Sequence, residues 1–332
     1  MNHLDVSFPL GVFTTVTGVS GSGKSSLVSQ ALVELVAEKL GQTIQTENDE
    51  AETLEQTKVY TSSGHIVSGM EKIKRLVPID QKPIGRTPRS NLATYTGLFD
   101  HVRKLFAATK AARARKYDAG RFSFNVAKGR CENCEGEGFV MVELLFLPSV
   151  YTPCPSCQGA RYNEKTLDIK FNGKNIAEVL GMTVDTAWEF FADEPALRRS
   201  FDMLRGVGLG YLRLGQPATE LSGGEAQRIK LATELQRTQK GESLYILDEP
   251  STGLHPSDVE MLMTQLDGLV EAGNSVIVVE HDMQIVANSD WVIDIGPGAG
   301  DEGGKIVAEG TPLEVAKSQK SKTAAYLNKY LA

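Results

Sequence analysis

Short β-branched apolar runs recur along the chain, and each ends in polar or glycine-rich sequence. Val12 to Thr17, Leu76 to Ile79, Ser243 to Leu247, Ser275 to Val279, Trp291 to Ile295 and Lys305 to Ala308 have the length and composition of strands. Two segments instead repeat at helical spacing. Leu27, Ala31, Leu32, Leu35 and Val36 mark a helix over Ser26 to Leu40, and Val259, Leu262, Met263, Leu266 and Leu269 mark a covering helix. Strands alternating with helices predict an α/β core. Phe139 to Leu147 alternates and is apolar, which predicts a hairpin arm.

The first strand leads into GVSGSGKS, and the first helix follows at once. This strand, loop and helix carry the G-x-x-x-x-G-K-[ST] pattern, whose glycines let backbone N–H groups turn in around phosphates. Gly18, Ser20, Gly21, Ser22, Gly23, Lys24, Ser25 and Ser26 are therefore candidate nucleotide contacts, with Lys24 reaching the β- and γ-phosphates and Ser25 joining a Mg²⁺ shell. A chance glycine-rich turn is the alternative. The strand Ser243 to Leu247 ends in Asp248 and Glu249, which puts two carboxylates at the edge where nucleotides bind in such sheets. Asp248 is the expected magnesium ligand and Glu249 the expected base for the attacking water. LSGGEAQR opens another helix, so Ser222, Gly223, Gly224 and Glu225 offer a second phosphate-binding end.

All four cysteines fall in two CxxC pairs, Cys131 with Cys134 and Cys154 with Cys157. Paired thiolates at this spacing suit a closed tetrahedral zinc site of structural type. Four unliganded buried cysteines and a redox pair are the competing readings; CENCEGEG is also a unit of the kind found in the cysteine-rich region of J-type chaperones. The chain has 332 residues, 41% of them hydrophobic, enough for one large core or two ordinary ones. No basic start precedes an apolar run, and no stretch approaches the roughly 18 apolar residues of a membrane helix, so the expected location is cytoplasmic with no membrane partner. The net charge is −7, yet between His101 and Arg130 nine basic residues stand against one acid, Asp118. Arg103, Lys104, Lys110, Arg113, Arg115, Lys116, Arg121, Lys128 and Arg130 are the candidate DNA contacts, since a basic stripe neutralises phosphates locally. A solvated helical face would give the same run. Phe122 and Phe124 suit base stacking or core packing, and packing is the commoner use.

With LSGGEAQR the chain resembles the ATP-binding cassette superfamily, in which this signature meets the γ-phosphate of a nucleotide on an opposing cassette. The resemblance implies that Gln81 is the Q-loop glutamine and a magnesium ligand, that STGLH (Ser251 to His255) is the D-loop, and that His281 is the switch histidine beside the γ-phosphate. DQKPIGRTPRSNLATYTGLFD (Asp80 to Asp100), the cysteine segment and ARYNEKTLDI (Ala160 to Ile169) are similar to the carboxyl-terminal half of the UvrA family, the A subunit of UvrABC nucleotide excision repair. Its weakest stretch is Gly41 to Gly69, where the acidic Thr46 to Gln56 reads as a solvated loop.

The expected architecture is a P-loop ATP-binding cassette over 1–85 and 239–332, interrupted at 86–238 by an α-helical signature domain with a zinc module at about 128–162. ATP, Mg²⁺ and Zn²⁺ are the implied cofactors, ATP hydrolysis the activity, and damaged or drug-modified double-stranded DNA the partner. The family carries two cassettes, whereas one motif set occurs here without internal repeat. A homodimer or pairing with an amino-terminal cassette is therefore implied, together with a possible B-type repair subunit. Leu92 stands where the commonest repair proteins carry proline, as in the UvrA-like branch that includes proteins associated with resistance to DNA-binding drugs. A transporter ATPase carries the same motifs and is the rival class.

Overall fold

A computed structural model describes residues 4–42, 64–144, 147–237 and 241–331. The acidic stretch Thr46 to Gln56 lies outside them. The chain divides into two compact units, Met1–Asp80 with Thr238–Ala332, and Gln81–Arg237.

In the first unit six strands form one sheet in the order Lys305–Gly310, Trp291–Gly296, Phe13–Gly18, Ser275–Val279, Ser243–Asp248 and Arg75–Ile79. Every neighbouring pair is parallel except Lys305–Gly310 against Trp291–Gly296, so the sheet is mixed. Parallel strands covered on both faces should be apolar throughout, and Ser275–Val279 is buried at all five positions. One face packs under the segment Ser26–Leu40 through Leu27, Val28, Val33 and Val36 against Val16, Leu244, Ile246 and Ile277. Helix Pro256–Glu271 packs against Phe13–Gly18 and Ser275–Val279, burying Val259, Leu262, Met263, Leu266 and Leu269. Leu262 and Leu266 are fully buried, so truncating either to alanine should cost about 2–5 kcal/mol.

The helix expected over Ser26 to Leu40 is one segment in two windings. Ser26–Leu32 is a π-helix and Val33–Leu40 an α-helix. The wider turn begins directly after the phosphate loop, a common setting for π windings at functional sites. It closes on glycine: Gly41 has φ +65°, which ends the helix in a left-handed turn.

The second unit is mostly short helices. Asn91, Thr109, Asn163, Asn175, Thr183 and Ser222 each accept an N–H bond at a helix start, which satisfies donors that such short helices leave open. Its core is aromatic: Phe99 stacks on Phe124 with centroids 5.4 Å apart, Phe106 tilts against Phe122 at 5.5 Å, and Phe191 stacks on Phe201 at 6.1 Å. Phe122 and Phe124 are thus packing residues, buried to within 1%. The hairpin differs from the arm expected over Phe139 to Leu147. Phe139–Leu144 pairs antiparallel with Leu147–Pro153, and Leu144 already lies opposite Leu147, so the chain reverses inside that range.

Candidate nucleotide site and cysteine cluster

Parallel pairing puts the ends of Phe13–Gly18, Ser243–Asp248 and Ser275–Val279 on one edge of the sheet, with Asp248 in register with Val279. The phosphate loop, Asp248 with Glu249, and His281 therefore emerge together although they lie far apart in sequence. Gly21 and Gly23 take φ of +74° and +103°, values a side chain would strain. Lys24 is 9% exposed, and its Nζ donates to the Gly18 carbonyl at 2.9 Å and the Val19 carbonyl at 3.1 Å. Ser22 is 1% exposed and its hydroxyl has no hydrogen-bond partner. A buried orphan hydroxyl, an ammonium and left-handed glycines make a donor set that fits phosphate oxygens.

Ser25 Oγ lies 3.4 Å from Asp248 Oδ1, and the Ser29 hydroxyl donates to Asp248 Oδ2 at 2.8 Å. A hydroxyl and a carboxylate at this separation are the hard oxygen ligands that Mg²⁺ takes. Ser29 was not singled out in the sequence; it is reached because the π-wound turn follows the loop. Glu249 follows with φ +47°, a conformation that costs a non-glycine residue about 1–3 kcal/mol and that concentrates at functional sites. Its N–H donates to Val279 O at 2.9 Å, and its carboxylate comes within 3.7 Å of His281 Nδ1.

Glu280 is the residue that sequence reasoning passed over. Its carboxylate is completely buried and accepts from the N–H groups of Ser251 at 2.9 Å, His281 at 3.0 Å and Asp282 at 3.2 Å. One side chain thus joins the start of the loop after Glu249 to the turn that presents His281. Nothing in a glutamate at the end of an apolar strand distinguishes this role from a solvated position.

Within the second unit, Ser222 caps helix Gly223–Leu235 in a reciprocal box with Glu225. Glu225 accepts from the Ser222 N–H at 2.7 Å, the Ser222 hydroxyl at 2.9 Å and the Tyr211 hydroxyl at 2.6 Å. Burial works to raise its pKa, but these donors overcome it and hold the carboxyl below its ordinary value. Gln81 lies beside this helix start: a Cβ on Gly223 would come 3.2 Å from Gln81. Gly224 is buried in the same turn.

The four cysteines converge, with their sulfur atoms all within 4.8 Å of one another and Cys134 and Cys157 at 3.6 Å. Sulfurs about 2.3 Å from a tetrahedral zinc lie about 3.8 Å apart, so the cluster fits that ion with small adjustment. Gly138 N–H and Asn133 Nδ2 donate to Cys134 and Cys154 sulfurs at 3.3 and 3.2 Å. Burial pushes the Cys157 thiol up to about 12; in Cys154 burial also acts upward, yet N–H donors and Asn133 bring it down to about 6. Arg161, only 3% exposed, ties this module to its surroundings. Its guanidinium donates to the carbonyls of Pro88 at 2.9 Å and Gly215 at 3.2 Å and lies over the Phe124 ring, while its own carbonyl accepts from Cys131 N–H at 2.9 Å.

The basic run divides into paired and exposed side chains. Arg103 pairs with Asp100, Arg115 with Asp168 at 3.1 Å and Arg130 with Glu135 at 3.1 Å. Arg121 donates to Thr166 at 2.9 Å and Asn163 at 3.2 Å and covers the Tyr117 ring. Lys104, Lys110, Arg113, Lys116 and Lys128 are exposed. No helix among the described residues is long and apolar enough to cross a membrane.

No protein-family model matches the chain. Among known proteins it is 54% identical over 327 residues to UvrABC system protein A of Streptococcus pyogenes serotype M1, covering 98% of this chain and 33% of that protein. It is 52% identical over 331 residues to the protein of the same name from Streptomyces coelicolor, covering 100% of this chain and 31% of the relative. The crystal structure of UvrA2 from Deinococcus radiodurans superposes with a TM-score of 0.87 at 64% identity, over 99% of this chain and 38% of that one. The chain thus spans about one third of the length of the curated relatives it matches. Matched along almost all of its own length by these proteins, the chain is homologous to about one third of a UvrA protein.

Proposed function

We propose that the chain is an ATP-hydrolysing, DNA-binding module of the UvrA kind, gated by nucleotide through pairing of two cassettes. The observation that carries this reading is the approach of Ser25 to Asp248 at 3.4 Å beside Glu249 and His281, on a chain 52–54% identical to UvrA proteins. ATP phosphates would be held by the N–H groups of the loop and by Lys24, which gives up its carbonyl partners. Ser25 and Asp248 would hold Mg²⁺, which supplies charge neutralisation at the phosphates. Glu249 takes the proton of the attacking water as it adds to the γ-phosphorus and the bond to the β-bridging oxygen breaks; His281 steadies the water or the γ-phosphate. Ser222, Gly223, Gly224 and Glu225 would close the corresponding site of an opposing cassette, in a second copy or an amino-terminal partner. The cysteine cluster would hold one structural Zn²⁺, and its ion would supply only cross-linking of the knuckle.

Double-stranded DNA is the proposed partner, with Lys104, Lys110, Arg113, Lys116 and Lys128 the side chains best placed to meet phosphates because they are exposed. Damaged duplex is the proposed target, in line with the relatives named UvrABC system protein A, and drug-bearing duplex is the alternative. Cytoplasmic action accords with that target. The test is phosphate release by the purified chain with added double-stranded DNA and no membrane protein. DNA is expected to change the rate. A rate indifferent to DNA, together with stimulation by a membrane component, would support the transporter reading instead.

A further inference from the structure

Between strands Trp291–Gly296 and Lys305–Gly310 the chain spends PGAGDEGG, residues 297–304, where an antiparallel connection needs only about 2–5. The extra length is directed at the phosphate loop. Gly300 N–H donates to Gly21 O at 3.1 Å and Gly304 N–H to Ser22 O at 2.8 Å. The two backbones touch so closely that a Cβ on Gly303 would lie 2.9 Å from Ser22 O and 3.1 Å from Ser22 Cα. A Cβ on Gly21 would likewise meet Ala299 Cβ at 3.2 Å.

A phosphate loop works by pointing N–H groups inward, which sends carbonyls outward to find other donors. Here the second glycine-rich loop supplies them. In a trans peptide the carbonyl and the next N–H point opposite ways, so holding Ser22 O fixes the direction of the Gly23 N–H. The base of the second loop is itself fixed: Asp294, 1% exposed, accepts from the hydroxyls of Ser321 and Thr323.

We propose that residues 296–304 form a brace that sets the geometry of the phosphate loop and so its affinity for nucleoside triphosphate, with Gly303 as the critical position. This rests on the reading of that loop as the ATP site. The motif alone did not indicate it, because the brace contributes no side chain.

Gly303 has φ −84°, open to any residue, so Gly303→Ala tests the contact without backbone strain. Hydrogen exchange of the segment 18–26 should become about tenfold faster in the variant, and affinity for a fluorescent non-hydrolysable ATP analogue should fall about tenfold or more, with segment 243–248 unchanged. Unchanged exchange in 18–26 overturns the brace. Faster exchange in a pair of proteins neither of which binds the analogue keeps the brace and removes the ATP reading. A measurement on the unaltered chain guards against misfolding of the variant: saturating analogue should slow exchange in 296–304 as well as in 18–26. Protection confined to 18–26 also overturns the proposal.

Discussion

Glu249 Oε1 and His281 Nδ1 stand 3.7 Å apart although 32 positions separate them in sequence, and a third residue, Glu280, holds the backbone on both sides of the gap. Glu249→Gln keeps the shape and removes the proton acceptor. Turnover should fall at least ~100-fold with ATP binding retained, since loss of a general base costs about 10²–10⁴. Steady-state phosphate release near the parent rate would contradict the assignment.

Glu280→Gln turns an amide N–H toward at least one of three backbone donors that the carboxylate now satisfies. A buried donor left unpaired costs about 1–3 kcal/mol, and here the penalty displaces Ser251 or His281. kcat is expected to drop while affinity for an ATP analogue, which depends on the phosphate loop, stays. Equal losses in both would assign Glu280 to general stability.

One zinc per chain is expected by elemental analysis of protein prepared without chelator, and none after Cys131→Ser with Cys154→Ser. Asn133→Ala removes the donor to the Cys154 sulfur and should weaken zinc about tenfold or more in a chelator competition, the usual effect of an outer-shell partner. Protein lacking zinc from the outset would refute the site.

Replacing Arg113 and Lys116 together by alanine should lower affinity for duplex DNA and reduce the slope of log affinity against log salt by roughly 1–2 units. Arg121→Ala should act differently. Thr166 and Asn163 lose their donor, so Tm falls, and the salt slope changes less than in the double variant. An unaltered salt slope in the double variant would leave the stripe a solvated face.

Features carried by contiguous residues were legible in the sequence. GVSGSGKS between a strand and a helix, Asp248 and Glu249 at a strand end, and two CxxC pairs each fix their local geometry through backbone and spacing. What could not be read depends on partners distant in sequence. Arg115 pairs with Asp168, 53 positions on, a partner that its own basic stretch does not reveal. Glu280 takes its meaning from Ser251, 29 positions earlier, and Arg161 from Pro88 and Gly215. The brace at 296–304 was unreadable for another reason: its hydrogen bonds to the phosphate loop are backbone ones, which no side chain in the sequence announces.

In the proposed cycle nucleotide joins two cassettes, with the signature of one meeting the phosphates held by the other. Sedimentation of Glu249→Gln with and without ATP tests it most directly, alongside the same variant carrying Ser222→Arg, which blocks the signature by bulk and charge. The single variant should sediment as a dimer only with ATP, and the double variant should remain monomeric. Equal dimerisation of both with ATP, or none by the single variant, would contradict the account.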